Sequence, residues 1–252
     1  MMSGLPAAFL DRPIAHRALH DLAAGRPENS RAAISAAIEQ GYGIEIDLQL
    51  SSDGVAMVFH DERLERLTGA RGLVGARDAS ELSALRLKGG EEGIPTLTEV
   101  LDLVAGRVPL LIEIKDQDGA LGADVGPLEK ATADALKGYD GPVAVMSFNP
   151  HSIARMARLA PQLPRGLTTD AFDPEDWAGV PGWRLEELRA IPDYTRTGAC
   201  FISHGWRDLA TPRVAELKEA GASILCWTIR TPEQEAEARK VAQNVTFEQY
   251  LA

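Results

Sequence analysis

Three acidic residues stand on the polar faces of two strand-like segments, Gly43-Ile44-Glu45-Ile46-Asp47-Leu48-Gln49 and Leu110-Leu111-Ile112-Glu113-Ile114-Lys115. Side chains alternate along a strand, so Glu45 and Asp47 share one face while Ile44, Ile46 and Leu48 share the other. Glu113 and Lys115 oppose Ile112 and Ile114 in the same way. Carboxylates gathered inside a folded domain repel one another unless a cation neutralises them. Oxygen donors of this kind suit Mg²⁺ or Ca²⁺ better than zinc, which prefers nitrogen and sulfur. His16 ends an earlier apolar segment and His60 ends a later one. An imidazole donates or accepts a proton near neutral pH, as a hydrolytic reaction requires at its nucleophile and leaving group. Arg17 and Lys115 would offset the charge of a phosphoryl group, or simply pair with nearby acids. Taken alone, Glu45 and Asp47 also read as the wet face of an antiparallel strand; the elements around them decide.

Those elements alternate. Strands are expected at 13–17, 43–49, 109–115, 142–147, 164–169, 199–203, 222–228 and 244–247. Between them lie helices with apolar spacing of three and four, such as Ala33, Ile34, Ala37 and Ile38, which Gly41 stops and Asn29 or Ser30 caps. Further helices are expected at 98–105, 127–137, 150–159, 211–220 and 232–241; Thr211-Pro212 and Thr231-Pro232 are helix-start pairs. Strand followed by helix about eight times implies parallel pairing, and a closed TIM (β/α)8 barrel accounts for the count and the length. An open doubly wound sheet is the rival, weakened by the lack of a Gly-rich phosphate loop after the first strand. In a barrel strand the polar face points inward, where a solvated carboxylate is not expected. One stretch breaks the rhythm. Residues 55–59 read as a strand joined to the second by a turn at Asp53-Gly54, and 62–92 as a small irregular insertion with a short helix at 78–85.

The chain has 252 residues, fitting one barrel domain, 1–252, with a hydrophobic share of 45% that supports a sizeable core. Lys plus Arg number 26 and Asp plus Glu 37, a formal charge of −11 that disfavours nucleic acid as a partner. The start has neither the basic flank nor the long apolar run of a signal peptide, and no segment reaches about 20 apolar residues. Cys200 and Cys226 lack metal-ligand spacing and read as reduced core thiols, so a cytoplasmic location is expected. His20, His151 and His204 read as loop or surface residues. Trp177, Trp183 and Trp206 read as packing or mouth-covering residues, with 169–184 a loop at that mouth.

Together these segments resemble the glycerophosphodiester phosphodiesterase family, which has a TIM-barrel fold. The matching pieces are Ile14-Ala15-His16-Arg17, Pro27-Glu28-Asn29-Ser30, Gly43-Ile44-Glu45-Ile46-Asp47, Asp53-Gly54, Phe59-His60-Asp61, Ile94-Pro95-Thr96-Leu97, Ile112-Glu113-Ile114-Lys115, Ser147-Phe148-Asn149-Pro150 and Trp227-Thr228, in the family's order along nearly the whole chain. The resemblance implies that His16 and His60 are the acid/base pair and that Glu45, Asp47 and Glu113 hold one divalent cation, Mg²⁺ or Ca²⁺. It further implies that Arg17 and Lys115 contact phosphate, that Glu28 positions Arg17 or His16, and that Phe148 and Trp227 lie near the substrate, with core packing as the alternative for both. The implied reaction is hydrolysis of a small-molecule glycerophosphodiester to an alcohol and sn-glycerol 3-phosphate. A lysophospholipid or phosphoinositol substrate and a non-catalytic phosphate-binding barrel are the alternatives. Two departures stand out: Ala18 replaces a usual glycine, and Asn244-Val245-Thr246-Phe247-Glu248 lacks the usual Gly-x-Asp-Gly and Thr-Asp signature. Neither is expected to touch a proposed ligand or histidine.

Overall fold

The alternation read along the strands is realised as a closed ring. The computed structural model describes residues 4–252, so the first three residues of the stretch read for a leader lie outside the described part. The strands are β1 (Ile14–Ala15), β2 (Gly43–Leu50), β3 (Ala56–Val58), β4 (Leu110–Ile114), β5 (Val143–Ser147), β6 (Arg165–Thr169), β7 (Phe201–Gly205), β8 (Ser223–Ile229) and β9 (Asn244–Phe247). All but β3 pair in parallel, and β1 closes the barrel by bonding both β9 and β2. β3 lies outside the ring, antiparallel to the end of β2. β1 is shorter than expected because Arg17 and Ala18 leave the strand at φ of 52° and 63°.

Each strand separates two apolar layers. Ile44, Ile46, Leu48, Ile112, Ile114, Val145, Ile202 and Ile224 face outward onto Ala33, Ile34, Val100, Val104, Ile153 and Val214 of the surrounding helices. Ile14, Leu111, Ala144, Phe201 and Leu225 cluster on the other side with Phe9 of the amino-terminal helix Ala8–Asp11. Asn244 secures that segment by donating to the carbonyls of Phe9 and Arg12, both at 2.7 Å. The helices follow the expected spans: Arg31–Gln40, Leu97–Val104, Pro127–Ala135, Pro150–Leu159, Pro212–Glu219 and Pro232–Ala238. Ser30, rather than Asn29, caps the first by accepting from the Ala33 amide, and Gly41 ends it at φ 71°. Thr211 and Thr231 cap the last two, each with proline in the first turn.

The insertion has a core of its own. Met57, Phe59, Leu64, Leu67, Val74, Leu82, Leu87 and Ile94 bury one another, and its helix spans Ala79–Ala84. Segment 169–184 does reach the mouth: Phe172 and Trp177 pack around Phe148, ahead of a helix at Gly182–Arg189. Two expectations need correction. Trp183 does not pack into the protein; it is 69% exposed, because that helix turns Arg184, Leu185 and Leu188 inward instead. His204 is not at the surface. It lies on β7, buried, with Nδ1 2.8 Å from Thr169 Oγ1, so a polar neighbour satisfies it inside the wall.

Gly166 on β6 lies directly against the Phe201 ring inside the barrel. A Cβ there would meet the Phe201 ring at 2.4 Å. Gly166→Ala is expected to destabilise the fold by about 1–3 kcal/mol through overpacking, and Phe201→Leu in the same chain should recover part of that loss. Urea denaturation of both variants measures it; an unchanged midpoint for the single variant would show that the ring moves freely.

Candidate active site

The polar side chains converge at the carboxyl ends of the strands, where barrel enzymes keep their chemistry. β2 sends Glu45 and Asp47 inward, and β4 sends Glu113 in beside them, with Asp47 and Glu113 paired in register. One oxygen from each lies within 4.8 Å of the others, and the three residues are only 2%, 2% and 6% exposed. At that outer separation two such charges repel by about 3–4 kcal/mol at an effective dielectric near 20. Burial, then repulsion from Asp47 and Glu113, push the Glu45 carboxyl well above its ordinary range.

Asp47 goes the other way. Burial opposes its charge, but Lys115, His60 and Arg17, together with the Asn29 amide at 2.9 Å, hold it well below the usual carboxylate range. Lys115 Nζ lies 2.7 Å from Glu113 and 3.3 Å from Asp47, and these two carboxylates outweigh burial to raise its pKa. Arg17 lies 3.7 Å from Asp47 and 2.8 Å from Glu28. Both cations therefore pair with acids, while Arg17 Nε keeps no hydrogen-bond partner. Two cations stand against three acids, so a divalent cation fits the donor set: buried, oxygen-only and incompletely neutralised. The cluster can hold a metal ion.

The loop after β1 is shaped to close on this cluster. At Arg17 and Ala18 the backbone runs left-handed, and their amides reach Glu45, the first at 2.8 Å to Oε2 and the second at 3.0 Å to the carbonyl. Ala18 holds the conformation for which glycine is the usual choice, a strain of the kind that persists at functional sites.

Each histidine is held by an acid. His16 Nδ1 lies 2.7 Å from Glu248 Oε2, and His60 Nδ1 lies 2.7 Å from Asp61 Oδ1, leaving Nε2 of each ring for other partners. Burial lowers the His16 pKa while Glu248 opposes that shift; burial would raise Glu248, but His16 and His20 pull it far down. Gln49 fixes the His60 backbone through its carbonyl at 3.0 Å. Arg66 joins the two sides, bonding Asp61 at 2.6 Å and Glu28 at 2.8 Å, and Glu28 in turn holds Arg17. The link expected between Glu28 and Arg17 is present; Glu28 does not bond His16.

A cavity of about 160 Å³ is lined by His16, Arg17, Glu45, Asp47, His60, Glu113, Lys115, Phe148 and Trp227; Glu28 is not in its wall and reaches it only through Arg17. Phe148 and Trp227 stack edge to face at 5.5 Å, which makes them both wall and packing. His60, Glu113, Lys115 and Phe148 also line a second, wider space of about 530 Å³, whose wall includes Trp177. Missed by sequence reasoning were Glu248, Arg66 and Thr246. The carboxyl-terminal departure was expected to leave the histidines untouched, yet Glu248 bonds His16 directly. Arg66 sits in the irregular insertion, where no periodicity marks it.

A closed parallel barrel with an acidic, imidazole-flanked mouth is an enzyme architecture, and the comparisons specify which. The model of the glycerophosphoryl diester phosphodiesterase family matches residues 16–246, and the chain belongs to that family of phosphoric diester hydrolases. A glycerophosphodiester phosphodiesterase of Caldanaerobacter subterraneus subsp. tengcongensis is 36% identical over 213 residues, covering 81% of this chain and 80% of its own. Among solved structures, an Oleispira antarctica phosphodiesterase in complex with the product sn-glycerol-3-phosphate superposes with a TM-score of 0.78 at 25% identity, over 96% of this chain and 94% of that one. The Thermotoga maritima glycerophosphodiester phosphodiesterase shares the fold with a TM-score of 0.70 at 23% identity, over 94% of each chain.

Glu45 supplies a direct test of this electrostatic picture. Its proton is held more tightly in the folded chain than in the unfolded one, so its contribution to stability falls as pH rises above the ordinary value of 4.5. Glu45→Gln cannot ionise. In EDTA, the unfolding free energy of the variant relative to the native protein should be level below about pH 4 and shift in the variant's favour toward pH 8. Urea titrations across that range read it; a difference independent of pH would remove Glu45 from the repelling cluster.

Proposed function

We propose that the chain hydrolyses glycerophosphodiesters to an alcohol and sn-glycerol 3-phosphate, with His16 and His60 exchanging protons and Glu45, Asp47 and Glu113 holding one divalent cation, Mg²⁺ or Ca²⁺. The observation that carries this reading is the pair of imidazoles, each fixed by a carboxylate at 2.7 Å, on one cavity with the acidic cluster. The family supports the substrate class, as does the product named for the Oleispira antarctica relative.

Arg17 and Lys115 orient the phosphate, their positive charge facing its non-bridging oxygens. A bound divalent cation supplies Lewis-acid charge and a template for the phosphoryl group. One imidazole takes the proton of the substrate's own glycerol hydroxyl as that oxygen attacks phosphorus, while the other protonates the departing alcohol oxygen. The cyclic phosphate so formed is opened by water, with the two imidazoles exchanging roles. Glu248 and Asp61 keep each ring in place through the hydrogen bond at its Nδ1. Phe148 and Trp227 exclude water from one wall.

A coupled assay for glycerol 3-phosphate, run on glycerophosphocholine with and without EDTA, tests the reading: chelation should abolish turnover and Mg²⁺ or Ca²⁺ restore it. No glycerol 3-phosphate under any metal condition would reject it. His16→Ala and His60→Ala should each lower turnover by about 10²–10⁴ while circular dichroism stays native. Glu248→Gln retains a hydrogen bond without the charge and should cost less, on the order of tenfold. Near-normal turnover in both histidine variants would reject the acid/base assignment.

A further inference from the structure

Thr246 lies on β9, in register with Ile14 of β1, and the next peptide along accepts the His16 amide through the Phe247 carbonyl at 2.8 Å. It thus borders His16 on the side away from β2 and its carboxylates. The residue is 1% exposed, its hydroxyl has no hydrogen-bond partner, and it lines the same cavity as the two histidines. Hydroxyls buried in this way are normally paired. Thr168 and Ser203 also keep unpartnered hydroxyls within the barrel, but neither lines the cavity. Nearby polar groups are committed elsewhere: Trp227 Nε1 donates to the Ser203 carbonyl at 3.1 Å, and Arg230 engages Glu248 at 2.8 Å.

From this we infer that the Thr246 hydroxyl binds the glycerol hydroxyl that takes no part in the reaction. The inference rests on the hydrolysis proposed above and adds where the glycerol unit lies. Charge decides against the phosphate: its partners, Arg17 and Lys115, belong to the loop after β1 and the end of β4, among the carboxylates. Shape decides which half of the substrate is held. The departing alcohol varies among glycerophosphodiesters and needs the wider space of about 530 Å³ that His60 also lines. The invariant glycerol unit is left with the narrow wall of β1, β9 and β8. One of its two free hydroxyls attacks phosphorus under an imidazole; the other meets Thr246.

The test pairs a side chain with a single substrate oxygen. Calorimetric binding of sn-glycerol 3-phosphate is compared with that of propane-1,2-diol 1-phosphate, which keeps the attacking hydroxyl and lacks the other one. The native chain, Thr246→Val and Thr246→Ser are measured with divalent cation present. The native chain should prefer glycerol 3-phosphate by about tenfold, the scale of one hydrogen bond. Thr246→Val should bind both ligands equally, at the weaker level, and Thr246→Ser should regain the preference. Thermal unfolding of Thr246→Val should match or exceed that of the native chain, since a valine loses an unpaired buried hydroxyl. Undiminished preference in Thr246→Val overturns the inference, as does a loss of affinity equal for both ligands in that variant. Hydrolysis of glycerophosphocholine by the native chain, assayed alongside, judges the reaction separately, because the binding comparison needs no turnover.

Discussion

Mutual repulsion among Glu45, Asp47 and Glu113 is the constraint around which this mouth is organised. Three carboxylates within 4.8 Å, all nearly excluded from water, are not stable as bare anions. The chain answers with Lys115 and Arg17, with the Asn29 amide, and with the backbone amide of Arg17 turned onto Glu45. These answers are uneven. Asp47 is well served and stays ionised, while Glu45 is left with a proton affinity far above that of a free carboxyl. A fold that sought stability alone would place apolar groups here, as it does lower in the barrel around Phe201 and Leu225. The residual negative potential is the property that makes the cluster a cation site.

The same logic of acids holding bases extends outward. Glu28 and Asp61 are bridged by Arg66, so Arg17 on one flank and His60 on the other are tied into one network. This gives the insertion a task. Its own small core around Leu64, Leu67 and Val74 holds the segment from which Arg66 reaches Glu28 and Asp61, and β3 carries His60 to the edge of β2, where the Phe59 amide bonds the Asp47 carbonyl. On the opposite flank the carboxyl terminus returns Glu248 to His16, the strand and chain end being locked by Asn244 below. The two imidazoles therefore receive their carboxylates from different places: Glu248 directly follows β9 of the ring, and Asp61 lies in the segment after β3.

Much of the architecture was legible from residue order. Alternation in Gly43–Leu50 and Leu110–Ile114 placed the carboxylates opposite the isoleucines, and one sheet with helices outside turns that alternation into an inward acidic face. Thr-Pro pairs and Gly41 marked helix ends, because capping and left-handed termination are local chemistry. Local chemistry failed where neighbours are distant in sequence. His204 looked like a surface histidine until β6 supplied Thr169 as its partner, and Trp183 could have been a packing residue until its helix turned it to solvent.

What the sequence determined by itself, then, was the repeat, the inward set of acids, and the short motifs that mark the family. Those follow from period, propensity and residue chemistry, which act over a few positions. Tertiary structure alone decided that Glu248 meets His16 across 232 positions, that Arg66 meets Glu28 across 38, and that the Thr246 hydroxyl is left unpartnered on the same cavity. The reason is geometric. Closing a ring brings its first and last strands into contact, and no pattern along the chain encodes which side chains that closure sets face to face.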